Sequence, residues 1–271
     1  MITNENFTLS NGVQIPKLGL GTWLIPDDIV ADAVREAITL GYRHIDTAQA
    51  YKNERGVGEG IRASGVAREK LFVTSKVHAG LKTYEAARDS IEKSLETLNI
   101  GYIDLMIIHA PQPWEEWHTA ARYFEENKEV WRALEETYEA GKVRAIGVSN
   151  FLHDDLESLL PSTKIKPMVN QILTNISITP ASLIDFCKEN NILVEAYSPI
   201  AHGKALKNEF IQGIAKKYNV SVAQLCVRYT LQLGCVSLPK TTNPDHMKDN
   251  MDVDFEISKE DMEVLLKYEN K

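Results

Sequence analysis

Short apolar strands alternate with amphipathic helical segments along the whole chain. The strand candidates are Lys17–Trp23, His44–Ala48, Leu71–Val77, Ile103–His109, Val143–Asn150, Met168–Ile172, Leu193–Pro199 and Cys235–Lys240. The helix candidates are Asp28–Leu40, Glu54–Ser64, Thr83–Leu98, Glu125–Ala140, Asp154–Leu160, Pro180–Asn190, Asn208–Tyr218, Ser221–Leu233 and Ser258–Tyr268. Such alternation predicts a parallel sheet. Eight units in 271 residues favour an α/β fold with one domain over residues 1–271, a closed (β/α)8 TIM barrel.

The segment before the first barrel strand, Phe7–Ile15, alternates around Asn11-Gly12. An Asn-Gly pair in this setting predicts a β-hairpin with a tight turn. Such an N-terminal hairpin would close the bottom of the barrel. Further signals mark helix ends: left-handed C-caps at Gly41 and Gly141, and a first helical position at Pro180.

Acidic residues exceed basic ones, which gives a formal charge of −8 and a pI of about 5.5. This balance argues against nucleic acid and anionic membranes as main partners. The N-terminus has no basic segment and no apolar segment, so no signal peptide is indicated. No uncharged apolar stretch approaches the length of a membrane span. We therefore expect a cytoplasmic protein, and since no interface is visible in the pattern, a monomer.

No metal site is expected. The seven histidines, at positions 44, 78, 109, 118, 153, 202 and 246, include no HxH or HExxH pair, which argues against a metal-dependent hydrolase on a barrel. Cys187, Cys226 and Cys235 have no metal-binding spacing either. They are predicted to be buried free thiols, as expected in a reducing compartment.

Four polar residues stand at or just after predicted strand ends: Asp46, Tyr51, Lys76 and His109. The strand ends of a parallel barrel gather at one face, and that face holds the active site. A phenol, with a pKa of ~10, is a poor acid unless a cation stabilises its phenolate; a lysine held by an aspartate does this. A histidine can orient a carbonyl. The set suits proton delivery to a carbonyl oxygen while a nicotinamide cofactor supplies the hydride.

Each of these residues also has an ordinary structural interpretation when it is taken alone. Lys76 or Asp46 could be a surface or ion-pair residue, and Tyr51 could cap its loop. His109 could be a hydrogen-bonded core histidine. It is their combination at strand ends that favours a site.

Longer motifs surround these residues and continue towards the C-terminus. They are Gly41–Ala48 with Tyr51, Asn53-Glu54 and Val57-Gly58, then Ser75-Lys76, Ile108-His109, Gly141–Phe151, Val169–Gln171, Ala196–Pro199 and Leu238–Lys240. Together, from about Phe7 to Phe255, they resemble the aldo-keto reductase family. The resemblance implies an (α/β)8 barrel that reduces aldehydes and ketones with NADPH.

The resemblance also implies a role for each matching residue. Tyr51 would be the general acid, Lys76 would lower its pKa, Asp46 would pair with Lys76, and His109 would position the carbonyl. The implied cofactor contacts are Ser149, Asn150 and Gln171 on the nicotinamide carboxamide, Tyr197 on the nicotinamide ring, Thr22 and Ser198 near the bridging phosphates or ribose, Lys240 and Thr241 at the 2′-phosphate, and Asp249 and Asn250 near the adenine. These residue types suit the cofactor groups that they would contact, because amides hydrogen-bond to an amide and a lysine pairs with a phosphate.

The sequence departs from the family pattern at the adenosine end. His246 stands where the family commonly has an arginine, six residues after Lys240. Histidine can stack on adenine but carries little charge at neutral pH. We therefore expect a weaker preference for NADPH, with some use of NADH.

The sequence also departs from the family pattern at the entrance to the substrate pocket. His78 replaces a common tryptophan, and Ala110 replaces the tryptophan after the histidine of the fourth strand. Trp23 keeps its expected place, while Trp114 and Trp117 could replace the lost rings or be surface-loop aromatics. With Tyr51 and His109, these residues predict an open, polar pocket. The tail after Asn250 is short, so we expect broad specificity for small aldehydes, dicarbonyls or sugar-derived keto compounds.

Two other interpretations stay open at this level. The same fold could serve as a cofactor-binding, redox-sensing regulatory subunit, although all four strand-end residues are present and favour an enzyme. Separately, Gly19-Leu-Gly21 and the glycines at 56, 58 and 60 hint at a dinucleotide loop. Neither completes G-x-G-x-x-G between a strand and a helix.

Overall fold

The computed structural model describes residues 1–117 and 119–268; His118 and residues 269–271 lie outside the described part. The strands are β1 (Asn6–Thr8), β2 (Gln14–Pro16), β3 (Gly19–Gly21), β4 (His44–Asp46), β5 (Phe72–Val77), β6 (Ile103–Ile108), β7 (Val143–Ser149), β8 (Val169–Leu173), β9 (Leu193–Tyr197) and β10 (Val236–Leu238). The helices are α1 (Asp27–Leu40), α2 (Glu54–Ala63), α3 (Tyr84–Leu98), α4 (Phe124–Glu139), α5 (His153–Leu159), α6 (Ala181–Glu189), α7 (Glu209–Lys217), α8 (Val222–Gln232), α9 (Pro244–Met251) and α10 (Lys259–Leu266). The boundaries agree with the predicted ones to within two residues, and α9 was not predicted.

Strands β3 to β10 form one parallel sheet in the order of the chain. The sheet closes between β3 and β10, where Leu18 pairs with Ser237 and Gly21 pairs with Lys240 in parallel bridges. The main-chain nitrogen of Gly21 also donates to the oxygen of Pro239 at 3.0 Å. The predicted (β/α)8 TIM barrel is therefore confirmed, and the C-terminal ends of its strands lie at one face.

The predicted hairpin covers the opposite end of the barrel. Strands β1 and β2 are antiparallel, with Phe7 opposite Ile15. Gly12 in the turn has a φ of 87°, a left-handed conformation that favours glycine. Ile15 is fully buried in the main apolar core. Asn11 Nδ2 donates to the main-chain oxygen of Arg144, near the start of β7, at 2.9 Å, which holds the hairpin to the bottom of the barrel.

Helix ends follow the sequence signals except at one proline. Gly41 and Gly141 adopt φ angles of 116° and 72° after α1 and α4. The Ser221 side chain caps the first turn of α8. The prediction for Pro180 was wrong by one residue, because α6 begins at Ala181. The ψ of Pro180, 69°, lies outside the helical region, so this residue precedes the helix instead of opening it.

The glycines at 56 and 60 serve helix packing. Both lie inside α2, which packs on α1. A Cβ at Gly56 would lie 2.5 Å from Val30 Cγ1, and a Cβ at Gly60 would lie 2.5 Å from the main-chain oxygen of Ala31. No larger side chain fits at such distances. The glycines at 56 and 60 are therefore explained by the close approach of α1 and α2.

The three cysteines are free and buried, as predicted. Burial raises the pKa of Cys226 and of Cys235 to about 12, so neither thiol ionises near neutral pH. Within residues 1–117 and 119–268, no helix combines the length and the apolar character needed to cross a membrane.

Candidate active site

Lys76, near the end of β5, is fully buried and makes three hydrogen bonds. Its Nζ donates to Oδ1 of Asp46 at 2.6 Å, to the main-chain oxygen of Thr47 at 2.8 Å and to the hydroxyl oxygen of Tyr51 at 3.2 Å. An ammonium group has three hydrogens, so each has an acceptor. The charge of Lys76 is therefore held in a fixed position against the phenol.

Tyr51 and His109 reach this lysine from two other strand ends. Tyr51 closes a single 3-10 turn, Gln49–Tyr51, which follows β4, and His109 directly follows β6. Their ring centroids are 5.5 Å apart with an interplanar angle of 75°, an edge-to-face contact. Since Asp46 is the last residue of β4, the structure brings all four strand-end residues together at the C-terminal face of the barrel.

The charges of the cluster determine the protonation of the lysine and the phenol. Burial disfavours the Lys76 cation, but the charge of Asp46 and the contact with Tyr51 outweigh burial, and the pKa of Lys76 is raised. Burial raises the pKa of Tyr51 above its ordinary value, and the opposing charge of Lys76 reduces that rise without cancelling it. Lys76 is thus a cation and Tyr51 a neutral phenol at pH 7, as a proton donor and its supporting charge require.

His109 is a neutral imidazole fixed through its main chain. Burial, together with Lys76 and His78, lowers the pKa of His109 well below its ordinary value. Its main-chain nitrogen donates to the oxygen of Val77 at 3.1 Å, and its oxygen accepts from Nδ2 of Asn150 at 3.1 Å. Nδ1 of the ring is buried without a hydrogen-bond partner in the described part of the chain. A neutral ring offers a ligand one N–H donor.

The residues expected at the nicotinamide lie side by side at the end of β7, on β8 and on β9. Tyr197 OH donates to Asn150 Oδ1 at 2.8 Å, and Ser149 Oγ donates to the main-chain oxygen of Gln171 at 2.8 Å. Nε2 of Gln171 donates to Oδ2 of Asp46 at 2.8 Å, which joins this row to the lysine cluster. Oε1 of Gln171 has no partner among the described residues. A free amide oxygen on β8 and a tyrosine on β9 suit the carboxamide and the ring of a nicotinamide.

Thr22 and Ser198 are expected near the phosphates or ribose. The two residues differ in how accessible their hydroxyl groups are to a ligand. Thr22 is fully buried, and its Oγ1 donates to the main-chain oxygen of Asp46 at 2.9 Å. Ser198 is partly exposed just after β9, with a φ of 53° and its Oγ 3.4 Å from Nε2 of His202. Ser198 therefore presents its hydroxyl at the rim, whereas the hydroxyl hydrogen of Thr22 is used inside the barrel.

The residues expected at the adenosine end lie between β10 and the end of α9. Lys240 and His246 are exposed, and Oγ1 of the partly exposed Thr241 lies 3.5 Å from Nδ1 of His246. Asn250 is buried, and Asp249 accepts a hydrogen bond from a serine hydroxyl at 2.6 Å. Lys240, Thr241 and His246 thus form an accessible polar group, which the buried Asn250 does not join.

Tryptophans flank the site on two sides. The Trp114 ring lies 5.1 Å from His109 at an angle of 88°, and Trp117 lies 5.3 Å from Trp114. Trp23, after β3, is 44% exposed and lies 5.4 Å from the His202 ring. The loop after β6 therefore places an aromatic ring beside His109, where the sequence lacks the usual tryptophan.

His78 and Ala110, the other expected pocket residues, are placed differently from each other. His78 is partly buried, and its Nδ1 accepts from the main-chain nitrogen of Gly80 at 3.1 Å. Ala110 is fully buried, and its oxygen accepts from Nζ of Lys82 at 3.0 Å. His78 is therefore partly accessible to solvent, whereas the side chain of Ala110 is not.

Two polar residues near the site, Glu195 and Lys82, were not predicted from the sequence. Glu195, in the middle of β9, is fully buried and accepts from Gln171 at 2.9 Å. Lys82 donates to Oδ1 of Asn127 at 2.8 Å as well as to Ala110, and so holds the segment after His109. A charged residue inside an apolar strand was the available signal for Glu195. No local pattern marks Lys82, because its partners lie 28 and 45 residues away.

A parallel barrel with a tyrosine, a lysine, an aspartate and a histidine at its strand ends defines a class of carbonyl-reducing enzymes. Residues 17–269 match the sequence model of the Aldo/keto reductase family. The chain belongs to this family, and it is an NAD(P)H-dependent oxidoreductase.

Three relatives show how close the similarity is. The chain is 47% identical over 263 residues to glyoxal reductase of Bacillus subtilis, covering 96% of this chain and 91% of that protein. It is 45% identical over 260 residues to 9,11-endoperoxide prostaglandin H2 reductase of Trypanosoma cruzi, covering 94% and 88%. The structure of Bombyx mori aldo-keto reductase in complex with NADP superimposes with a TM-score of 0.87, with 32% identity and coverage of 97% and 92%.

Proposed function

We propose that this enzyme reduces small aldehydes and α-dicarbonyl compounds to alcohols with NADPH, and that Tyr51 donates the proton. The observation that carries the proposal is the set of hydrogen bonds around Lys76, which links the Tyr51 hydroxyl to Asp46. A buried phenol beside a fixed cation can release a proton because the phenolate that forms lies against a positive charge.

Each side chain of the cluster has its own role in carbonyl reduction. When bound, the nicotinamide supplies a hydride to the carbonyl carbon. Tyr51 gives its proton to the carbonyl oxygen, and Lys76 stabilises the phenolate. His109, neutral at pH 7, donates one ring N–H to the same oxygen and so fixes the direction of the carbonyl. Asp46 holds Lys76 and does not exchange a proton with the substrate.

The cofactor is held along the strand ends from β7 to β10. Gln171, Asn150 and Ser149 pair with the carboxamide, and Tyr197 stacks on the ring. Lys240 pairs with the 2′-phosphate, which favours NADPH over NADH. His246, in place of a second permanent cation, makes that preference modest. The free amide oxygen of Gln171 and the exposed position of Lys240 support this arrangement.

We infer the substrate class from the side chains around His109. His78 and His109 offer polar groups, and Trp114 provides an aromatic ring beside His109. Small carbonyl compounds with a second oxygen gain hydrogen bonds there, whereas bulky apolar ketones find little apolar wall. The similarity to glyoxal reductase of Bacillus subtilis supports this choice. The enzyme works as a monomer in the cytoplasm, and its buried free thiols support the cytoplasmic location.

A test measures NADPH oxidation with glyoxal, methylglyoxal, small aldehydes and a steroid-like ketone, beside NADPH binding to the same protein. Turnover is expected, with the highest kcat/KM for the dicarbonyls. Binding of NADPH without turnover of any carbonyl would instead support a regulatory, cofactor-sensing subunit. A marked preference for the steroid-like ketone would contradict the proposed substrate class.

A further inference from the structure

Glu195 is a fully buried carboxyl group that takes no part in the proposed proton transfer. It stands in register with Gln171 of the neighbouring parallel strand β8, so the two side chains project on the same side of the sheet. A carboxyl group is rarely buried unless it is hydrogen-bonded or paired. Glu195 therefore needs a partner inside the barrel.

That partner is the side-chain amide of Gln171. Its Nε2 donates to Oε2 of Glu195 at 2.9 Å and to Oδ2 of Asp46 at 2.8 Å. An amide nitrogen has two hydrogens, so both are used. The reverse orientation would place the amide oxygen against Asp46, whose carboxylate is paired with Lys76 and can only accept. The two carboxyl groups therefore fix the amide, and Oε1 of Gln171 is left for a ligand.

The groups that face Glu195 from other strands leave it without a counter-charge. Nε2 of His44 on β4 lies 3.7 Å from Oε1 of Glu195, but burial lowers the pKa of His44 to about 3, so this ring is neutral at pH 7. The Lys76 cation of β5 is hydrogen-bonded to Asp46. Burial, together with the charge of Asp46, raises the pKa of Glu195 to about 8. At pH 7 it is mostly a neutral acid, which accepts from Gln171 without adding a second negative charge beside Asp46.

We propose that Glu195 is a positioning residue for the cofactor: it fixes Gln171 so that Oε1 accepts a hydrogen bond from the nicotinamide carboxamide. The hydrogen bonds run without a break from Tyr51 through Lys76, Asp46 and Gln171 to Glu195. The same fixed amide therefore also holds Asp46 towards Lys76. This inference rests on the proposed use of a nicotinamide cofactor.

The test titrates NADPH against the tryptophan fluorescence of E195Q and E195M. Glutamine keeps an acceptor oxygen in place, whereas methionine keeps the volume without an acceptor. We expect E195M to raise the Kd for NADPH about five-fold, the effect of one lost hydrogen bond, and E195Q to stay within about two-fold of wild type. E135Q, which changes a buried glutamate of α4, is the matched control and should bind like wild type.

A double variant separates positioning from a general structural role. If Glu195 acts through Gln171, E195M adds no further rise in Kd to Q171M, and additive rises overturn the proposal. An unchanged Kd in E195M also overturns it. A wild-type protein that fails to bind NADPH would instead overturn the proposed function. Should E195M not fold, E195D replaces it: its shorter side chain withdraws the carboxyl from Gln171, with the same expected rise and the same overturning result.

A measurement without cofactor tests the neutral state of the acid. The pKa of Glu195 in the fold, about 8, lies above its ordinary value of 4.5, so the fold keeps a proton that the unfolded chain releases between these values. The free energy of unfolding of wild type should therefore fall relative to E195Q as the pH rises from about 6 to about 8, and the difference should become level above about 9. A difference that stays constant over this whole range would overturn the proposal that Glu195 holds Gln171 as a neutral acid.

Discussion

Nζ of Lys76 lies 3.2 Å from the hydroxyl oxygen of Tyr51, and the lysine is fully buried. A buried cation needs compensation, which Asp46 provides at 2.6 Å. The phenol therefore lies next to a charge that cannot move away or be screened by water. This arrangement joins the stability of the barrel to its chemistry, because the groups that stabilise a phenolate are also a buried ion pair.

Replacing Lys76 with methionine should therefore damage both stability and activity. The buried Asp46 loses its partner, so the free energy of unfolding should fall by about 3 kcal/mol. Reduction should slow by about 100-fold or more, because the phenolate loses its stabilising charge. Urea unfolding and NADPH oxidation check the two effects.

The double variant D46N/K76M separates them. Removing both charges should restore part of the lost stability while activity stays low. K93M, which removes an exposed lysine paired with Glu96, should change stability by less than about 1 kcal/mol. Equal losses in K93M and K76M would contradict the account of the buried pair.

His44 should make the fold sensitive to acid. Burial lowers its pKa to about 3 in the fold, whereas in the unfolded chain it takes up a proton near its ordinary value of 6.5. The free energy of unfolding should therefore decrease as the pH falls from about 6.5 to about 3, by roughly 1.4 kcal/mol per pH unit. His44→Gln should reduce this slope in urea unfolding, while His153→Gln should leave it unchanged. Equal slopes in wild type and His44→Gln would count against the neutral buried imidazole.

The grouping of the four strand-end residues could be predicted from the sequence, because a parallel barrel brings all of its strand ends to one face. To predict the positions of Asp46, Lys76 and His109, only the correct assignment of the strands was required. The Gln171–Glu195 contact could not be predicted, because it depends on the register between β8 and β9. Register is set by packing of the whole barrel and not by any local pattern.

Other features depended on contacts across the chain. Trp114 lies beside His109 because the loop after β6 folds back, and loop conformation is not encoded in hydrophobic periodicity. The cofactor contact expected of Thr22 stays a prediction, and the hydrogen bond from its hydroxyl to the main chain of Asp46 could not be predicted from a local pattern. Helix α9 was missed because its eight residues contain few apolar positions.

His246→Arg should strengthen the preference for NADPH over NADH. An arginine at this exposed position next to Thr241 could form a charge-assisted hydrogen bond with the 2′-phosphate. Such a bond corresponds to about ten-fold in the ratio of the two Kd values. His153→Arg, the same change away from the site, is the control. An unchanged ratio in His246→Arg would show that this position does not contact the phosphate.

His78→Trp should shift the substrate preference towards larger apolar aldehydes. The indole would restore an aromatic wall near His109, and the added apolar contact should raise kcat/KM for an aromatic aldehyde about five-fold relative to glyoxal. The ratio of the two substrates within one protein serves as its own control for folding and enzyme concentration. If the ratio does not move, His78 does not line the substrate pocket.

The most direct test of the central claim compares wild type with Tyr51→Phe in NADPH oxidation and in NADPH binding. The variant removes the hydroxyl that lies 3.2 Å from Lys76 and leaves the ring in place. We predict that carbonyl reduction falls by about 100-fold or more while the Kd for NADPH stays within about two-fold of wild type. Reduction by Tyr51→Phe at the wild-type rate would contradict the assignment of Tyr51 as the proton donor.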